Sequence, residues 1–316
     1  LATWAGDWRG ARDVEGEGVR EMGNPIKGTP HLNDDVIITN SFSYPVPSAT
    51  KVATDTSKIK YVKSTTKPNT LYNFTKNLEW LEWSLVNKRL SPRYNIEDIS
   101  YMKVRGYKRI AFPMKCFCDI NLHQLKDHLE WYGYYGLGLS KEWGMRQKIQ
   151  PVQYINPSSL LLSEFSLVLR ESIKNIEKTS ELDKLLLSFI THQLLYTKSY
   201  SGDVINPQGN KRTTKCFLDE SEWRFIPEKS SLENPLVISD KDYLNEIFIK
   251  RISNKLQGNI DASLKFEYSD LKYIVVNTIS DFELLLRKLE DAGIENNDLH
   301  ILISKFIIWE TSKEDF

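Results

Sequence analysis

Apolar residues recur along this chain at two spacings, and the switches between them mark its elements. Leu71-Tyr72-Asn73-Phe74-Thr75 is short and β-prone and predicts a strand. Leu78, Leu81 and Leu85, with Trp80 and Trp83, then follow helical spacing up to Lys88. Ser91-Pro92 closes that run, because proline brings no N–H to the helix ladder. Residues 110–112 and 115–118 predict strands on either side of Pro113. Asn121 is suited to cap a helix carrying Leu122, Leu125, Leu129 and Tyr132, its side-chain oxygen accepting from free amides. Residues 135–140 and 152–155 read as strands, and 158–178 and 181–197 as two long helices. On the second helix Leu182, Leu185, Leu186, Phe189, Ile190 and Leu194 form a wide apolar face.

The remainder alternates again. Residues 216–218 and 223–226 predict strands separated by an acidic bend, and 240–256 a helix. Residues 271–276 predict a strand and 281–292 a helix, with Gly293 placed to cap its C-terminus. Residues 300–308 read as a closing apolar strand. Short strands interleaved with helices predict one α+β domain over 69–316. Residues 1–68 differ in texture. Six of the fifteen glycines lie in the first thirty positions, and the run to Pro68 is rich in Pro, Thr, Ser and Asp around one apolar segment, Val36-Ile37-Ile38. The reading is an irregular extension or linker outside the core.

Composition narrows the function classes. Lys plus Arg and Asp plus Glu are both 42, so no net positive charge draws the chain to nucleic acid. With 41% hydrophobic residues the chain can bury enough apolar surface to fold. No run of 18 apolar residues spans a membrane. Three cysteines, Cys116, Cys118 and Cys216, are an odd number and too few for a disulfide framework, which fits reduced thiols in the cytoplasm.

Three groupings carry candidate chemistry. Cys116, Cys118, His123 and His128 are zinc-ligand types within thirteen residues, but the two histidines are five apart and miss the spacing of a helical pair. No metal is expected there. Gly133, Gly136 and Gly138 do not match a dinucleotide loop, and the order is helix–turn–strand rather than strand–turn–helix. They suit a tight turn into a strand, while Tyr134 and Tyr135 offer a platform for a planar ring. In Asp219-Glu220-Ser221-Glu222-Trp223-Arg224 a strand would put Glu220, Glu222 and Arg224 on one face. That arrangement either pairs Glu222 with Arg224 or aims a carboxylate at a ribose or an oxocarbenium ion.

Several segments occur together in a familiar order: Leu71-Tyr72-Asn73-Phe74-Thr75, Phe112-Pro113-Met114-Lys115-Cys116-Phe117-Cys118-Asp119-Ile120, Tyr132-Gly133-Tyr134-Tyr135-Gly136-Leu137-Gly138-Leu139-Ser140-Lys141-Glu142-Trp143-Gly144, Pro151-Val152-Gln153-Tyr154, Asp219-Glu220-Ser221-Glu222-Trp223-Arg224-Phe225-Ile226-Pro227 and Leu302-Ile303-Ser304-Lys305. From Asn69 onward the chain resembles the AbiGi family of bacterial abortive phage-infection proteins. The resemblance implies phage defence as an antitoxin beside a separately encoded AbiGii toxin, and it supplies no catalytic residue.

A more distant likeness is to ADP-ribosyltransferase-fold toxins of the DarT type, and it implies NAD as cofactor. On that reading Glu222 stabilises the oxocarbenium ion and Glu220 orients the acceptor. Tyr134 or Tyr135 stacks on nicotinamide, while Asn73, Thr75, Arg93 and Arg224 line the ligand. Asn73 stands where such sequences commonly carry His, and asparagine cannot carry charge. The sequence therefore supports two functions: a regulator that binds a partner toxin or phage component, and an NAD-using effector. A purely structural module is the third alternative.

Overall fold

The computed structural model describes residues 61–174, 180–207, 209, 211–240 and 244–314. Thr70–Thr75 forms β1, and Leu78–Asn87 forms α1, which buries Leu78, Leu81 and Leu85. Lys88 ends α1 in the left-handed conformation, so the chain turns before it reaches Pro92. Arg89–Leu90 (β2) and Arg93–Asp98 (β3) lead to the ten-residue strand β4, Arg109–Cys118. A short 3-10 turn, Leu122–Gln124, opens the next helix, and the Gln124 side chain accepts from the Asn121 N–H. Leu125–Tyr132 (α2), Tyr135–Ser140 (β5), Lys141–Arg146 (α3), Gln150–Pro151 (β6) and Gln153–Ile155 (β7) follow.

Two long helices come next, Leu160–Lys174 (α4) and Glu181–Leu195 (α5), with Ser180 capping α5 by accepting from the Asp183 N–H. The remaining elements are Thr197–Ser199 (β8), Ser201–Ile205 (β9), Arg212–Cys216 (β10), Glu222–Phe225 (β11), Ile238–Ser239 (β12), Glu246–Gln257 (α6), Leu264–Lys265 (β13), Leu271–Val276 (β14), Ile279–Asp291 (α7), Asn296–Ile303 (α8), Phe306–Ile308 (β15) and Trp309–Ser312 (α9).

The main sheet has the order β15-β14-β5-β1-β4-β11-β6, with β3 and β12 also paired to β4. All its pairs are antiparallel except β14 with β15. The first half of β4 binds β3 and β12, and its second half binds β1 and β11. It is one strand rather than two, and it continues through Pro113 for a local reason. Opposite Pro113, Tyr94 turns its N–H and C=O toward the Ser253 hydroxyl of α6. The Tyr94–Pro113 pair is therefore the non-hydrogen-bonded kind, and the missing proline N–H removes no bond to β3.

Two further expectations are corrected. Residues 217–220 form a 3-10 turn rather than continuing a strand. Residues 300–303 belong to α8, where Leu299 and Leu302 are buried on one side at helical spacing, and only Phe306–Ile308 is strand. The glycine turn does what close approach demands. Gly133 has φ +107°, and a Cβ there would lie 2.2 Å from the Thr75 carbonyl oxygen. This contact sets β5 directly against β1, over the register Thr75–Tyr135 to Thr70–Ser140.

Helices α1, α7 and α8 cover one core around Leu71, Leu137, Leu139 and Ile274. Helices α4 and α5 cover a second, around Ile110, Phe112 and Met114 of β4. Helix α6 packs on Tyr94, Ala111 and Ile238, and α2 on Tyr72, Cys118 and Val275. The expected extension over 1–68 falls mostly outside the described residues. Residues 61–68 carry no helix or strand, but the Tyr61 hydroxyl donates to Asn69 beside β1. Among the described residues no helix is long and apolar enough to cross a membrane.

Candidate functional site

The Glu220-x-Glu222-x-Arg224 motif sits at the centre of a buried charge cluster. Strand β11 pairs with β4 so that Glu222 faces Cys118 and Arg224 faces Cys116, which places both charged side chains on the face that carries the two thiols. Glu220 arrives from the preceding 3-10 turn and Lys198 from β8. Lys198 Nζ lies 2.6 Å from Glu220 and 2.9 Å from Glu222. Arg224 donates Nε to Glu222 at 2.7 Å, one terminal nitrogen to Glu97 of β3 at 3.3 Å, and the other to the Leu195 carbonyl at 2.8 Å. Lys215 Nζ lies 2.9 Å from Glu220 and also donates to the Tyr132 hydroxyl, which in turn donates to Glu220. The Tyr154 hydroxyl accepts from the Glu222 N–H.

Three cations, Lys198, Lys215 and Arg224, thus face three carboxylates, Glu97, Glu220 and Glu222. Arg224 is only 1% exposed and Glu222 only 5%. Burial by itself would raise the Glu222 carboxyl, but Arg224 and Lys198 outweigh it and hold the group well below the usual carboxylate range. Burial also opposes ionisation of Glu220, and there Lys198 and then Lys215 prevail over the repulsion from Glu222, keeping its pKa low. Lys198 and Arg224 are driven up by the same carboxylates against the effect of burial. Burial, reinforced by the nearby carboxylates, raises both the Cys116 and Cys118 thiols, so neither is primed as a thiolate nucleophile.

A cavity of about 60 Å³ opens beside this cluster. Asn73, Glu220 and Glu222 line it, with Cys116, Cys118 and His128. Asn73 reaches the cluster by donating to the Cys116 carbonyl at 2.8 Å. Three of the predicted site residues therefore come together, and Arg224 lies beneath them, bound to Glu222. The others are elsewhere. The cavity's aromatic wall is Tyr72, Phe74, Phe117 and Tyr132, whereas Tyr134 packs in the α2 core and Tyr135, on the opposite face of β5, in the α7 core. Burial and then Asp281, which accepts from its hydroxyl, push the Tyr135 pKa up to about 12. Thr75 pairs with Tyr135 at the far end of β1, and Arg93 pairs with Met114 on β3, both outside the cavity wall. The ring-stacking platform expected at Tyr134 or Tyr135 is thus absent from this cavity, because strand alternation sends the two rings into separate cores.

His128 and His123 part company. His128 is buried against the cavity with an unpartnered Nε2, its pKa lowered by burial and then by Lys215. His123 lines a separate groove. Among the described residues no three His, Cys, Asp or Glu side chains are arranged to hold a metal. Lys198, Lys215, Glu97, Tyr132 and Tyr154 were not singled out from the sequence. The one available signal was the excess of acid in 219–222, which in a buried setting demands cations from elsewhere in the chain.

The fold and the site define an α+β protein whose central strands gather a charge-balanced, enclosed polar cluster. The family model described as "Putative abortive phage resistance protein AbiGi, antitoxin" matches residues 88–277. A protein of Lactococcus lactis subsp. cremoris, the abortive phage resistance protein AbiGi, is 33% identical over 253 residues, covering 71% of this chain and 98% of its own length. The chain belongs to the AbiGi family of abortive phage resistance proteins. No solved structure matches it.

Proposed function

We propose that this chain serves abortive phage resistance as an antitoxin-type regulator, working by binding a protein partner rather than by converting a nucleotide. One observation carries the reading: the two carboxylates that a transferase would use are already neutralised by Lys198, Lys215 and Arg224, inside a cluster that leaves a cavity of about 60 Å³. Pockets that take drug-sized ligands run to about 300–1,000 Å³, so a dinucleotide does not fit this one. The family description supplies the antitoxin role and with it a protein partner in general; in our reading that partner is an AbiGii-type toxin or a phage component.

The test is growth of a bacterial host expressing this chain alone, an AbiGii-type toxin alone, or both. The expected result is no harm from the chain alone and recovery of growth when both are made. NAD consumption by the purified chain, or transfer of ADP-ribose to a target, would overturn the reading.

A second reading, the NAD-using effector, is favoured by one observation: Asn73, Glu220 and Glu222 share a cavity wall. It requires Lys198 and Arg224 to release Glu222 and the cavity to open. Calorimetric titration with NAD separates the two readings, since the effector binds it and the regulator does not.

A further inference from the structure

Helix α5 carries an apolar surface that the core does not use. Leu182, Leu185, Leu186 and Phe189 recur at i, i+3, i+4 and i+7, which makes them one stripe. They are 73%, 58%, 48% and 64% exposed. The opposite flank of α5, with Leu187, Ile190, Leu194 and Leu195, is buried. Helix α4 repeats the pattern: Leu162 and Leu169 are buried, while Leu160, Leu161, Leu167 and Val168 face solvent. Both helices press into the same core, so both outer flanks lie on its solvent side. The eight exposed side chains present on the order of 800 Å², one partner's share of a standard interface.

Charge on this surface selects the occupant. Glu164 lies on the same flank of α4, four residues after Leu160 and three before Leu167, and it is exposed with no ion pair among the described residues. Glu171, one heptad on, is already held by Lys174 at 2.9 Å and Arg170 at 3.5 Å. On the α4 flank of this apolar surface, among the described residues, Glu164 is therefore an acid that no cation holds. An anionic lipid surface repels that acid. A second copy docked face to face supplies a cation to Glu164 only where another part of this surface offers one, and a twofold axis through Glu164 would set the two acids against each other.

We propose that the α4–α5 face docks an amphipathic helix of the protein partner. The partner's apolar stripe lies along Leu182, Leu185, Leu186 and Phe189, and one of its lysines or arginines meets Glu164. This follows the helix-in-groove mode, with anchors spaced to match the stripe. It rests on the reading that the chain works by binding a protein.

The probe is a fluorescent 18-residue helical peptide with leucines at i, i+3, i+4 and i+7 and one lysine beside them, titrated against the full chain. The expected result is micromolar binding that weakens more than tenfold in the Leu185→Glu/Phe189→Glu variant at an unchanged melting temperature. Glu164→Lys should weaken the lysine peptide several-fold and strengthen a peptide with glutamate in its place. Absence of binding, or binding indifferent to these changes, overturns the proposal. So does a dimer in sedimentation that the double variant dissolves, because the occupant is then a second copy. Shielding of Phe189 from radical footprinting in the monomeric full chain also overturns it, because residues 1–60 then cover the face. Host protection keeps this test apart from the reading it rests on. If the native chain protects and the double variant protects equally, the face is wrong and the reading stands. If the native chain does not protect, the reading fails, and the peptide titration alone judges the face.

Discussion

At Glu222, stability and any functional assay are bound together. Its carboxylate accepts from Arg224 and Lys198, both deeply buried, so Glu222→Gln leaves Arg224 without its nearest counter-charge and Lys198 without one of its two carboxylates. Breaking a buried ion pair from one side costs about 3–5 kcal/mol, and urea unfolding of this variant should show a loss of that size. A functional defect in the variant assigns catalysis only when its folded fraction has been measured alongside. The same groups set the acid limb of stability. Glu220 and Glu222 have folded pKa values below their unfolded ones, so their contribution is fully present above about pH 4.3, the ordinary glutamate value. It is lost as pH falls through the folded values. His128 is also lowered on folding, so stability should begin to fall below about pH 6.5 as the unfolded chain takes up a proton that the buried imidazole refuses. Thermal melting from pH 8 to pH 3 should show both declines, and His128→Gln should remove only the upper one.

At the scale of elements, α5 shows where local pattern stops being informative. Its six apolar positions form one wide face in the sequence, yet the structure buries Ile190 and Leu194 and exposes Leu182, Leu185, Leu186 and Phe189. Ile190→Ala should therefore cost about 2–4 kcal/mol, whereas Leu185→Ala should stay within about 0.5 kcal/mol. Paired urea titrations check this, and equal costs would place the exposed stripe inside a core. Strands β1, β5 and β14 were legible because each is a short apolar or alternating run bounded by turn residues. The segment 300–308 was not, because Leu302 and Ile303 prolong an apolar run whose helical half is fixed by contacts with α7. At the site, the shared face of Glu222 and Arg224 was legible from their two-residue spacing, whereas Glu220 joins them from a 3-10 turn and not along the strand. Lys198 and Glu97 were not, since β8 and β3 reach the cluster only through the sheet's topology. Tyr135 misled for a related reason: an aromatic beside glycines suits a ligand platform, but the pleat turned it into the α7 core.

For the whole molecule, β4 decides whether the described chain behaves as one unit. Its first half supplies Ile110, Phe112 and Met114 to the core under α4 and α5 and Ala111 to the core under α6. Its second half supplies Phe117 to the core under α1 and α7 and Cys118 to the core under α2. One strand thus threads all four apolar clusters, and the buried ion cluster joins β3, β8 and β11 across it. A chain of this length is large enough to divide into two domains, and the α4–α5 side is the natural place for a second. The shared strand opposes that division, because melting either core pulls residues of β4 out of the other. Unfolding in urea should therefore be a single transition, with tryptophan fluorescence and far-ultraviolet circular dichroism coinciding. Trp143 reports on the α1 and α7 core. Leu194→Ala, in the other core, should nevertheless move the fluorescence midpoint as far as the dichroism midpoint. If the dichroism midpoint moves and the fluorescence midpoint stays, the two halves of β4 unfold separately and the α4–α5 unit is a domain of its own.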